Sequence, residues 1–251
     1  MPIINMVYKK PKQRATQWPC TKGFHVPLRS EWSGLITVMN WLWFTTWPNF
    51  RDNLHLPLWW TRNYSSWNAE QQGVSAYYWT SNDSWNNGTL FAGDSNNIYF
   101  PENYSKNRWF QVRPFKNGFI KPTSSWTVIS WTIWWAWIFR NQSEWIITIT
   151  SDGTTGYTIA DKNVWATTVW SNWDTLSANN CGWYFQRWNN YMFPYSWSIT
   201  TSTTKPDASN YWPWNYYSSS TFIKWWWIRN SDWSSVQNSN LWWWVDGNVP
   251  V

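Results

Sequence analysis

The sequence predicts an α+β chain. Residues 16–117 read as an antiparallel sheet with one short helix and long polar loops, 118–150 as a Gly/Ser/Thr-type spacer with short strands, and 151–251 as a second partial unit. Three observations carry that prediction. A single helical stripe stands near the start, with Trp32, Leu35, Ile36 and Met39 at i, i+3, i+4 and i+7. Behind it come short aromatic and β-branched runs, such as AYYWT at 76–80, cut by Ser/Asn/Asp/Gly turns. The second half offers no clear amphipathic helix. One helix followed by short strands, with no alternation of strand and helix, is the pattern of an antiparallel α+β layer.

Residues 1–15 have no periodicity and read as a tail or the stump of an upstream segment. The stretch TKGFHVPLRSEW, 21–32, organises the segments after it. Phe24, Val26 and Leu28 alternate around His25 and Pro27, so a short extended piece is expected. Ser30 then stands as the N-cap, with Glu31 in the first turn where a carboxylate faces the positive end of the helix dipole. Residues 40–53 read as loop, and Leu54, Leu56 and Leu58 alternate with His55 and Pro57. Residues 89–91, 97–100 and 109–115 are further strand candidates between polar loops, and loops of such length are either binding surfaces or disordered. The apolar run WTVISWTIWWAWIF carries no charge, yet it is too short and too often broken by Ser and Thr to span a membrane. Residues 145–150 are a β-branched strand and SDGTTG a turn. The second unit opens with YTIADKNVWATT at 157–168, continues with NNCGWYFQRWNN at 179–190, and holds a strand within 215–223.

Composition narrows the function. Charged residues are 13% and the net charge is +6, dispersed except for Lys9, Lys10, Lys12 and Arg14, which read as a solvated tail. No nucleic-acid partner is expected from that distribution. Two cysteines, Cys20 and Cys181, make neither a disulfide scaffold nor a metal-ligand spacing. His25 and His55 are too few for a histidine-rich metal site. Asp83, Asp94, Asp152 and Asp232 stand in turns, where calcium could be taken, but none begins the twelve-residue EF-hand pattern, and no cofactor is expected. The visible N-terminus lacks a signal-peptide core, and the chain reads as part of a longer one.

Tryptophan is the anomaly: 32 Trp stand against 10 Gly. Glycine ordinarily runs near 7%. Trp67, Trp85, Trp173 and Trp233 lie among Ser, Asn and Asp, where turns want a residue that tolerates positive φ. Trp109 stands before Phe110 at a strand start, and the Trp59–Trp60 pair reads better as glycine. The runs 225–227 and 242–244 cannot bury every ring on one strand face. The expectation is that many of these Trp are Gly in the native protein, through a UGA codon read under the wrong table. Trp32 lies on the helical stripe and is expected to be a true tryptophan.

Four motifs in order carry a resemblance. GFHVPLRSEW, LPLWWTRNYSSW, AYYWTS and WFQVRPFKN, across residues 18–117, resemble the Fibrobacter succinogenes major paralogous domain, with Trp mainly where that family has glycine. The matching positions are Gly23, His25, Pro27, Glu31, Trp32, Trp79 and Arg113. YTIADKNVWATT and FQRWNN resemble the front of a further repeat, more loosely. The resemblance implies a C-type-lectin-like or formylglycine-generating-enzyme-like fold. It also implies an extracellular or cell-surface place in a longer protein.

On that basis the expected role is a non-enzymatic binding or adhesion module whose ligand is a glycan or a protein. Tyr and Asn on scaffolded loops give contact area and adaptable hydrogen bonds. Candidate ligand-binding residues are Arg62, Asn63, Tyr64, Tyr77, Asn82 and Asp83, each of which also reads as an ordinary loop or fold residue. The alternatives are a structural spacer repeat and a formylglycine-generating type of enzyme. The latter needs reactive cysteines, and Cys20 and Cys181 fall in different units without a neighbouring histidine in sequence. No nucleophile elbow, phosphate loop or zinc signature is present. Arg113 is expected to anchor the fold by pairing with a carboxylate such as Glu31.

Overall fold

The computed structural model describes residues 20, 23–58, 61–62, 69–70, 73–84, 87–94, 96–105, 108–132, 136–171, 174–186, 191–193, 200–202, 217–218 and 221–223. Helix α1 (Arg29–Trp41) carries the expected stripe and buries Trp32, Leu35, Val38 and Met39. Its start differs from expectation. Leu28 is the N-cap, and Ser30 lies exposed within the first turn. The reason is that Glu31, at the third helical position, reaches back to accept the Leu28 N–H at 2.6 Å. Asn82 accepts the next orphan donor, the Arg29 N–H, at 2.6 Å.

A second helix, α2 (Trp47–Asn53), occupies the stretch read as loop. Pro48 sits in its first turn, where a fixed φ and a missing N–H cost nothing. Trp47, Phe50 and Leu54, at i, i+3 and i+7, are fully buried. Two turns are too short for that period to stand out in the sequence. Leu54 ends the helix, so the alternating leucines beyond it form no strand.

The middle layer is a three-stranded antiparallel sheet, β4 (Ala76–Ser84), β5 (Asn87–Gly93) and β6 (Ile98–Ser105), in that order. Tyr77 pairs with Ala92, Tyr78 with Phe91 and Trp79 with Leu90. Side chains alternate between faces. Trp79, Leu90 and Ala92 therefore join one core with Val26, Phe110 and Phe185, against which Tyr77 packs. Ala76, Tyr78 and Phe91 join another with α1 and α2. Both faces are buried, which is why AYYWT is aromatic at consecutive positions instead of alternating with polar residues.

The far side of α1 is covered by a six-stranded antiparallel sheet. Its members are β1 (Phe24–His25), β8 (Phe115–Lys116), β9 (Thr127–Thr132), β10 (Ala136–Asn141), β11 (Ile146–Thr150) and β12 (Gly156–Ala160). The order is β1-β8-β12-β11-β10-β9. Ile138, Ile147, Ile149 and Ile159 pack into the same core as Trp32 and Phe115. The sheet thus runs through the stretch that composition suggested was a spacer and joins it to the strands on either side. On its other face Thr148 and Thr158 share a hydroxyl contact of 2.8 Å, and Ile120 N–H donates to Thr158 at 2.9 Å.

A second six-stranded sheet contains β2 (Thr61–Arg62), β3 (Ala69–Glu70), β7 (Trp109–Phe110), β13 (Tyr184–Gln186), β14 (Tyr191–Phe193) and β16 (Tyr217–Ser218). Its β14–β16 pair is parallel, as is the separate pair β15 (Thr200–Ser202) and β17 (Thr221–Ile223). A single turn, α3 (Ala178–Cys181), precedes β13. The chain is therefore a mixed α+β fold with mainly antiparallel sheets and a few short helices. Among the described residues no helix is long and apolar enough to cross a membrane.

Candidate functional site

Both histidines sit in polar joints between distant segments. His25, at the end of β1, faces the two Glu31 oxygens from Nε2 at 2.9 Å each, and its Nδ1 meets Asn117 Oδ1 at 2.7 Å. One carboxylate therefore caps α1 and clamps the imidazole. Pro27, two residues on, accepts from the Ser81 N–H at 2.8 Å, tying this entry strand to β4.

The second joint is larger. Asp161, just past β12, is fully buried. One of its oxygens meets His55 Nδ1 and the other accepts from Arg140 Nε, at 2.5 Å, on β10. Beside it Arg113, also fully buried, donates to the Ala160 carbonyl at 2.9 Å and the His55 carbonyl at 2.5 Å. This corrects the expected Arg113–Glu31 pair, because Glu31 is engaged at the start of α1 by His25 and the Leu28 N–H. Burial pulls the Arg113 guanidinium below its usual range, against the opposing pull of Tyr78 and Asp161. Tyr78 donates to the Pro57 carbonyl at 3.2 Å, and burial pushes its phenol up. Two residues past Asp161, the Asn163 side-chain N–H donates to the Cys181 carbonyl at 3.0 Å. The meeting of His55, Arg140 and Asp161 was not foreseen from the sequence because they lie far apart along the chain and match no spacing.

Chemically these joints read as supports. Each Asp161 oxygen already has a partner from a different segment, which fixes the α2 exit, β10 and the β12 exit against one another. The cysteines are not activated. Burial pushes the Cys20 thiol well up, and it does the same to Cys181 against a backbone hydrogen bond from Ser177 and the pull of Arg113. A nucleophilic cysteine needs the opposite shift.

The sequence-predicted surface residues divide. Tyr77, Asn82 and Asp83 share β4. Tyr77 stacks on Phe110 at 5.0 Å and meets Tyr104 edge-on, so its ring belongs to the core, and burial raises its phenol to about 12. Asn82 is engaged by the Arg29 N–H. Asp83 pairs with Gly88 at the β4–β5 turn. Arg62 pairs with Trp109 in the other sheet and is not brought to β4's turn by any described contact. Asn63 and Tyr64 lie outside the described residues, as do the side chains of Arg62 and Asp83.

The matched motif positions all lie at structural joints. Gly23 has φ +84. Trp32 stacks on Phe91 with ring centres 4.1 Å apart, and the Trp79 indole donates to the Phe185 carbonyl at 2.9 Å. Of the turn aspartates, Asp94 accepts from the Tyr99 hydroxyl at 2.6 Å and from two backbone N–H groups, which hold its carboxyl low. Burial opposes ionisation of Asp152, but N–H groups of Thr155 and Thr154 outweigh it and bring its carboxyl to about 2. Among the described residues no three His, Cys, Asp or Glu are grouped to hold a metal. Asp232 lies outside them. No protein-family model, curated protein or solved structure matches this chain.

Proposed function

We propose that this chain is a non-enzymatic binding module of C-type-lectin-like kind, extracellular or at a cell surface, with a glycan or protein ligand. The observation that carries the reading is the middle sheet. Its strands β4 and β5 pack into a core on each face and so form a rigid frame, while at the β4–β5 end Asp83 pairs with Gly88 and Asn87 pairs with Ser84 and Ser105. A rigid frame with polar hairpin ends is the usual division of labour in a loop-binding scaffold. The described histidines and cysteines are engaged or buried inside the fold, which leaves recognition to these ends.

The test is binding of the full chain to arrayed glycans and surface proteins, repeated with Asp83→Ala and Asn87→Ala. Saturable binding weakened about tenfold by either substitution, with the melting temperature unchanged, is the expected result, worth about 1.4 kcal/mol of contact. Binding to nothing on the array would leave the chain as a structural spacer of a longer surface protein.

A further inference from the structure

Ten described positions have a positive φ, and their occupants are unusual. Six are glycine, one is His55 and three are tryptophan: Trp43 (φ 63), Trp145 (φ 54) and Trp165 (φ 63). Asparagine is the ordinary non-glycine occupant of this region. The chain is rich in Asn, yet no described Asn takes it.

Each Trp stands where local geometry asks for glycine. Trp43 is the residue after the C-cap of α1. Its N–H donates to the Asn40 carbonyl and the Phe44 N–H to the Met39 carbonyl, both at 3.0 Å. That pair of bonds is the Schellman termination, whose left-handed position is normally Gly. Trp165 is third in the turn Asn163–Ala166, closed by the Ala166 N–H on the Asn163 carbonyl at 3.1 Å. Val164 before it has no positive φ, so the turn is type II, which requires Gly or Asn at this place. Trp145 is the last residue of the hairpin loop between Asn141 and Ile146, where the chain swings left-handed back into β11.

None of the three rings is fixed by full burial. They are 81%, 44% and 46% exposed at Trp43, Trp145 and Trp165. Lys162 lies over the Trp145 face at 4.4 Å, a contact too weak to hold a strained backbone. His55, by contrast, is held in its left-handed state by Asp161 on its ring and Arg113 on its carbonyl. Trp32, Trp47 and Trp79 are fully buried without positive φ, and the Trp47 ring lies where a Cβ on Gly93 would sit.

We infer that glycine is the native residue at positions 43, 145 and 165, and that the exposed rings there form no ligand platform. Buried Trp32, Trp47 and Trp79 are native tryptophans. Ligand recognition is then left to polar groups.

The test has two arms. Peptide masses of the protein isolated from its own organism are expected to show Gly at 43, 145 and 165 and Trp at 32, 47 and 79. Trp at the first three overturns the inference whatever the chain binds. In the recombinant full chain, Trp43→Gly, Trp145→Gly and Trp165→Gly are each expected to raise the melting temperature by about 2–4 °C. Trp47→Gly serves as the contrast and is expected to lower it. A fall at the three left-handed positions would show that their rings hold the fold, which also overturns the inference.

Discussion

Arg113 shows how much one side chain can join. It is fully buried and donates to carbonyls from the α2 exit and the β12 end, segments with no local reason to meet. Removing it strands two acceptors without access to water, so Arg113→Met is expected to cost about 2–3 kcal/mol. Glu31→Ala loses the helix cap and the His25 clamp, and is expected to cost about 2 kcal/mol. The two residues share no hydrogen bond. The double variant should therefore be additive within about 0.5 kcal/mol in urea melts. A coupling above about 1 kcal/mol would restore the direct pair that charge and sequence suggested.

At the scale of elements, two glycines set how closely layers approach. Gly34 lets the Tyr157 hydroxyl lie against α1, where a Cβ would fall 1.7 Å from it. Gly93 lets the Trp47 ring lie flat on β5, where a Cβ would fall 1.9 Å from a ring carbon. Trp47 is fully buried and has no room to retreat. Gly93→Ala is expected to cost about 2 kcal/mol, seen as a melting temperature about 4–8 °C lower. Replacing Trp47 by Leu in that background should recover part of the loss, since the clash is with the ring itself. Strictly additive losses would mean the contact does not limit the packing. The same closeness explains why α2 forms from a segment with weak helical periodicity. Its Trp47 and Phe50 gain more from joining α1 and Phe91 than a short helix costs.

Across the whole molecule, the core around α1 is made by two widely separated parts of the chain. Trp32, Phe91 and Phe115 come from the first part, and Ile138, Ile147, Ile149 and Ile159 from beyond residue 117. Phe115 pairs with Ile159, and the Ala160 N–H donates to the Pro114 carbonyl at 2.9 Å. A chain cut after Asn117 leaves one side of α1 facing water. It is expected to show no cooperative thermal transition and rapid proteolysis, whereas the full chain unfolds cooperatively. A fragment 16–117 that melts cooperatively would show that the first part folds as a unit by itself.

The sequence by itself determined the helical stripe of α1, the strand segments around 76–80 and 146–150, the α+β class and the role of Glu31 in the first turn. These arise from local periodicity and capping, which neighbouring residues dictate. It missed α2 and the true N-cap, since short elements carry little period of their own, and it left the short strands of 118–150 in a spacer where they belong to the sheet that covers α1. Tertiary structure decided that AYYWT is buried on both faces, because burial on the second face depends on which layer packs there. It also decided that Tyr77 and Asn82 serve the fold, that Arg113 bridges carbonyls, and that His55, Asp161 and Arg140 meet. Those contacts join residues tens of positions apart, and no local spacing encodes such a meeting. Only the packed layers bring them within hydrogen-bond reach.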